Sequence, residues 1–411
     1  MSRAILIRRA RQLLTLRGPR EPRRGTRLQD LGIISDGSLL VDDGRIVEVG
    51  PSRRVENLAL ARHACVIDAT NRVVMPGFVD CHTHLVSGRP WLPEYEADIA
   101  AADGQPPRDL ARKAILRGSA ARLAAGARNM VNAMARHGTT TVEAKSGYGY
   151  DETGETKILR VHAMLHRNPL DVIPTFLCPR AMPPVYANGA PSYLSWICGD
   201  LLPKIRRRGL ARFADCHCDG ALFDDAQVRR YLEAAQNLGF RLKVHAGQFR
   251  EDYGVCLAVA LGAISADHLD YASRADIEIV ARSNTVAVLL PRNSFQSRSG
   301  RFAPARALIE AGAAVALATG FDPCASATCN MQTIIALACA RLRMTPAEAI
   351  CAATFNAACA LGAADRCGSL EVGKYADLIV VDAEDYREIP YYFGVNLVRT
   401  TIKRGVTIYP A

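Results

Sequence analysis

The residues most suited to chemistry begin at His82-Thr83-His84, which close the short apolar run VVMPGFVDC. Side chains two apart on a strand share a face, so both imidazoles can reach one metal ion. Two further histidines end strand-like runs: His245 closes RLKVHAG and His268 closes AISADHL. His217 lies in Cys216-His217-Cys218, whose spacing matches no closed zinc motif. Strand alternation sends those two cysteines to one side, into packing. His63, His137, His162 and His166 fall in helical or surface contexts and read as structural. In KSGYGYDETGE, glycines at 147 and 149 permit a sharp turn that brings Tyr148 toward the same region.

Something must place these groups together. The middle of the chain alternates strands and helices, with candidate strands at Val73–Asp80, Thr139–Ala144, Val172–Leu177, Arg212–Cys218, Arg241–His245, Ala263–Ala266, Thr285–Leu290 and Ala314–Ala318. In DDAQVRRYLEAAQNLGF, Val228, Tyr231, Leu232, Ala235 and Leu238 recur at helical spacing between an Asp cap and Gly239. Eight strands with intervening helices predict an α/β fold, a (β/α)₈ TIM-type barrel that gathers active residues at its strand tips. Both ends of the chain are β-rich: IISDGSLLVDDGRIVEVG carries Asp-Gly hairpin turns, and GSLEVGKYADLIVVD and VRTTIKRGVTIY match it in style. The expected organisation is a small β-sandwich domain from residues 1–74 plus 368–411, and a barrel over 75–367.

Bulk properties narrow the class. At 411 residues, 49% of them apolar, the chain can bury a large core. No apolar run reaches the roughly 18 residues of a membrane span. The Arg-rich start reads as a first strand rather than a targeting segment, and 13 cysteines with no secretion signal read as reduced residues of a cytoplasmic protein. The formal charge of +10 is dispersed and lacks aromatic–basic interleaving. It predicts no nucleic-acid partner and favours a small anionic substrate.

These residues resemble the imidazolonepropionase family of the amidohydrolase superfamily. The resemblance is carried by LIRRARQLLTLRGP, LGIISDGSLLVDDGRIVEVG, VMPGFVDCHTHL, GTTTVEAKSGYGYD, VHAGQF, SADHLD, VAVLLP and GSLEVGKYADLIVVDAEDYREIPYYFGVNLV, spread over most of the chain. It implies opening of the ring of 4-imidazolone-5-propionate to N-formimino-L-glutamate, in histidine degradation. It also implies one Zn²⁺ or Fe³⁺ on the positions matching His82, His84 and His245, and a homodimer. His268 matches a histidine beside the reacting water, Gln248 a position contacting the substrate ring, and Arg89 and Tyr148 substrate-contacting residues.

The sequence departs from that family at the expected barrel mouth. Its Thr-Asp-Phe-Asn-Pro is here Thr319-Gly320-Phe321-Asp322-Pro323, so the acidic metal ligand and general base is a glycine. Asp322, two residues on, is the candidate substitute. A Gly-Ala-His becomes Cys178-Pro179-Arg180, which exchanges a substrate-binding histidine for a fixed cation able to hold an anion. Residues 87–119 are unlike the family, and an acidic position after His245-Ala246 is Gly247. Three readings follow: the family's own reaction, a paralogue opening another cyclic amide, and a metal- or ligand-binding pseudo-hydrolase.

Overall fold

The computed structural model describes residues 4–86, 115, 117–186, 189–297, 299–323 and 326–409. Before the barrel come five strands: β1 (Ile5–Leu14), β2 (Ile33–Asp42), β3 (Arg45–Pro51), β4 (Cys65–Asp68) and β5 (Val73–Pro76). The barrel strands are β6 (Phe78–Asp80), β7 (Thr139–Lys145), β8 (Asp171–Leu177), β9 (Phe213–His217), β10 (Arg241–Ala246), β11 (Ser265–His268), β12 (Val286–Leu289) and β13 (Val315–Leu317). After it come β14 (Leu378–Val381), β15 (Val398–Lys403) and β16 (Val406–Tyr409).

β6 to β13 pair in chain order, each parallel to the next. The ring closes just past the strand ends, where the amide of His84 donates to Phe321 at 2.7 Å and that of Gly320 to His82 at 3.1 Å. The eight-stranded (β/α)₈ barrel is therefore the fold, as the alternation predicts.

The two ends of the chain together form a separate eight-stranded sheet in the order β16-β15-β14-β5-β1-β2-β3, with β4 also on β1. At the turn between β2 and β3, Asp43 and Gly44 both take positive φ (45° and 71°), the pairing a tight type I′ hairpin requires. Leu13, Leu39, Val41, Val74, Leu378, Val380 and Ile402 are among the residues of that sheet's own apolar cluster.

The candidate strand Val73–Asp80 is two strands. Val73–Pro76 pairs with β1 and β14, whereas Phe78–Asp80 opens the barrel. Gly77 is the joint, because a Cβ there would lie 2.2 Å from Cγ2 of Thr140. The helix Asp225–Asn237 has the expected buried face of Val228, Tyr231, Leu232 and Ala235, and Asp224 caps it in a reciprocal box with Gln227. Among the described residues, no helix is long and apolar enough to cross a membrane.

Candidate metal centre

β6 carries the chain directly to His82 and His84, and β10 holds His245 at its tip. One ring nitrogen from each of these three buried histidines lies within 4.8 Å of the others. Nδ1 of His82 is bonded to Asp267 at 2.7 Å, and Nδ1 of His245 to Asp215 at 3.1 Å. These bonds fix both rings and leave Nε2 as the free nitrogen. Burial, with Lys145 close by, pushes the pKa of His82 and His245 well below the ordinary imidazole value. Burial also lowers that of His84, whose Nδ1 is buried without a partner. Three neutral imidazoles, two oriented by carboxylates and one with an orphaned nitrogen, form a donor set that fits a metal ion.

Beneath them lies a floor of charge. Glu143, Lys145, Asp215, Lys243 and Asp267 are all fully buried. The ammonium of Lys145 lies 2.6 Å from Asp215, 3.0 Å from Glu143 and 3.3 Å from Asp267. That of Lys243 lies 2.7 Å from Glu143 and 3.7 Å from Asp267, and donates to the carbonyl of Cys81 at 3.0 Å. Burial works against these charges, but for Lys145 the carboxylates outweigh it and raise the pKa. For Asp267 the two lysines outweigh it and bring the pKa down to about 2. Three carboxyl groups thus face two lysines, an acid-rich floor that suits a cation above it, although burial pushes the pKa of Asp215 up. Asp80 joins them beside Thr319, and burial pushes its pKa up to about 7.

The floor went unread at the sequence level, although a signal existed. Asp80-x-His82-x-His84, Glu143-x-Lys145, Asp215-x-His217, Lys243-x-His245 and Ser265-x-Asp267 place polar groups at alternate positions of otherwise apolar strands, the inward face of the barrel. His217 belongs to this face too. Its ring lies 4.1 Å from that of His245, while Cys216 and Cys218 turn into packing as alternation predicts.

Of the remaining candidates, His268 and Tyr148 lie beside the triad. His268 ends β11 with φ at +87°, a strained conformation for a side-chain-bearing residue. Its ring centre is 5.2 Å from those of both His82 and His245, and its Nδ1 is buried without a partner. Tyr148 stands edge-on to His84 at 5.4 Å and donates its hydroxyl proton to a hydrogen bond with Asp322. Its loop is held by the buried carboxylate of Glu155, which accepts from the amides of Gly147, Gly149 and Tyr150 at 2.8, 2.6 and 3.1 Å. Arg180 pairs with Asp219 and lies 5.0 Å over the ring of Phe249. Oε1 of Gln248 is buried without a partner. Arg89 lies outside the described residues. Among the described residues, the group able to hold an ion contains imidazoles alone; Asp322 is bonded to Tyr148 instead, and Gly320 offers no side chain.

A parallel eight-stranded barrel with a His-x-His at its first strand tip and a third histidine at the fifth is the architecture of a metal-dependent amidohydrolase. Residues 223–408 match the model of the amidohydrolase family. Solved structures of like fold include a zinc-bound adenosine deaminase from Xanthomonas campestris (TM-score 0.68, 21% identity, 98% of this chain and 92% of that one). A triazine hydrolase variant is also similar (TM-score 0.72, 16% identity, 99% and 95%). Sequence similarity is closer to the imidazolonepropionases of Symbiobacterium thermophilum, 41% identical over 98% of this chain and 96% of that protein, and of Solibacter usitatus, 40% identical over 97% of each. That of Geobacillus kaustophilus is 40% identical over 99% and 98%. The chain belongs to the imidazolonepropionase family.

Proposed function

We propose that this protein hydrolyses the imidazolone ring of 4-imidazolone-5-propionate, giving N-formimino-L-glutamate. One observation carries the reading: three buried, neutral imidazoles converge at the barrel mouth of a chain about 40% identical, over its whole length, to imidazolonepropionases. His82, His84 and His245 would hold a Zn²⁺ or Fe³⁺, which would supply a nucleophilic water near neutral pH and a Lewis acid for the ring carbonyl. Residues 75–367 carry the chemistry, and 1–74 with 368–411 form the supporting domain.

The chain's own residues do the rest. With no carboxylate at 320, His268 takes a proton from the attacking water and passes it to the ring nitrogen as the C–N bond breaks. Its place among the triad, and its unpartnered ring nitrogen, support that role. The Tyr148 hydroxyl, donating to Asp322 beside His84, supplies a further polar group on the substrate side. Gln248 offers its unpartnered amide oxygen to a ring N–H. Arg180 clasps the propionate carboxylate, exchanging part of its pairing with Asp219, and Arg89 supplies a further cation. Exposed Tyr391, Tyr392, Phe393 and Val395 form an apolar patch that supports a homodimer. The setting is cytoplasmic, with a small anionic cyclic amide as the partner and neither nucleic acid nor membrane.

The test is direct. Metal-loaded protein should bleach the ultraviolet absorbance of 4-imidazolone-5-propionate catalytically, and chelation should abolish this. A fully loaded protein that leaves the substrate intact would overturn the assignment.

A further inference from the structure

Gly320 has no side chain, yet the space such a side chain would enter is filled. Its φ is +61°, and a Cβ built there would lie 2.2 Å from Oδ1 of Asn293, 2.9 Å from its Cγ and 2.8 Å from Cδ2 of Leu290. Asn293 sits in the helical turn Pro291–Gln296 that follows β12, the strand next to β13 in the ring. The amide of Gly320 donates to the carbonyl of His82, so this space adjoins the backbone of a metal-ligand candidate. Oδ1 of Asn293 is buried and has no hydrogen-bond partner. A buried amide oxygen left unpartnered is destabilising unless something absent from the protein alone completes it.

We propose that Asn293 takes over the position left open at residue 320, presenting a neutral carboxamide oxygen to the ion site of His82, His84 and His245. An amide oxygen is a suitable hard donor, but unlike a carboxylate it carries no charge and cannot receive a proton. In the observed conformation a side chain at 320 and the Asn293 carboxamide require the same volume, so one can be seated only if the other moves. Residue 320 is thus a glycine compensated from the neighbouring loop, and a simple return to aspartate does not rebuild a working site. The inference rests on the proposed ion site, and its test separates the two.

The experiment measures zinc affinity, by competition with a chromophoric chelator, and the melting temperature of metal-free protein. The proteins are wild type, Asn293→Ala, Asn293→Asp, Gly320→Asp and the double variant Asn293→Ala/Gly320→Asp. Asn293→Ala should weaken zinc binding about tenfold, the lower end of what loss of a supporting group costs a metal site, and Asn293→Asp should tighten it. Gly320→Asp should melt below wild type, and adding Asn293→Ala should raise its melting temperature, whether or not Gly320→Asp alone folds well. Unchanged zinc affinity in both Asn293 variants, or a melting temperature of Gly320→Asp that Asn293→Ala does not raise, overturns the proposal. If wild type and His82→Ala alike bind no zinc, the ion site itself is wrong and the oxygen-donor role falls with it. The melting comparison still decides the steric exclusion independently.

Discussion

At the scale of single residues, orientation matters as much as identity. His82 and His245 are held by Asp267 and Asp215, and each carboxylate is shared with buried lysine. Replacing either acid by its amide, Asp267→Asn or Asp215→Asn, should lower metal affinity about 10- to 100-fold, measured as the metal retained after dialysis against a chelator. Lys145→Met should destabilise far more than a surface change, by roughly 3–5 kcal/mol, because it strands buried carboxylates; chemical denaturation would report it. His268→Gln should leave metal content unchanged and lower kcat about 10²- to 10⁴-fold. A drop in metal content instead would make His268 a ligand. The His-x-His pair was legible in the sequence because its two members are adjacent. Asp215 and Asp267 were fainter, because each is a lone acid in its own strand, marked only by alternation, and the closed ring is what brings them under the histidines. Asn293 was least legible of all, since its contact is with a position that has no side chain.

At the scale of elements, the chain shows where strands and turns lie better than where sheets begin. The loop carrying Tyr148 works as its glycines require. Gly147 takes φ of +99°, and a Cβ on Gly149 would lie 2.3 Å from the backbone of Gly154 and Glu155. Gly149→Ala should therefore lower stability by roughly 1–3 kcal/mol and move Tyr148 from His84. The expected readout is a lower melting temperature with a raised KM. The expected strand at Val73–Asp80 ran across Gly77 because apolar runs do not reveal which sheet they join. That choice is made by a long-range partner, β14 for the first half and β7 for the second. Likewise β11 extends to His268, past the sequence boundary at Ala266, because Asp267 and His268 look polar in isolation.

At the scale of the whole molecule, burial couples stability to acidity. His162 is fully buried, neither ring nitrogen has a partner, and burial with His84 nearby brings its pKa down to about 3. The unfolded chain protonates this histidine near its ordinary pKa of about 6.5, whereas the folded chain does not. Its contribution is thus present above pH 6.5 and lost progressively as pH falls toward 3. His84, His245 and His268 act in the same direction. Melting temperature should fall steeply on acidification below pH 6.5, and His162→Leu should flatten that slope; an unaltered slope would show that His162 is reached by solvent. The fold class was legible because alternation of strand and helix is a global pattern. The sheet that unites both ends has a further consequence, for synthesis. β5 leaves the ribosome about 300 residues before β14, the strand that covers its outer edge. At roughly 5–20 residues per second, that edge waits on the order of a quarter of a minute to a minute for its partner. The nascent chain therefore carries an open apolar edge through most of its own translation, and all eight barrel strands are made while the supporting sheet is still incomplete.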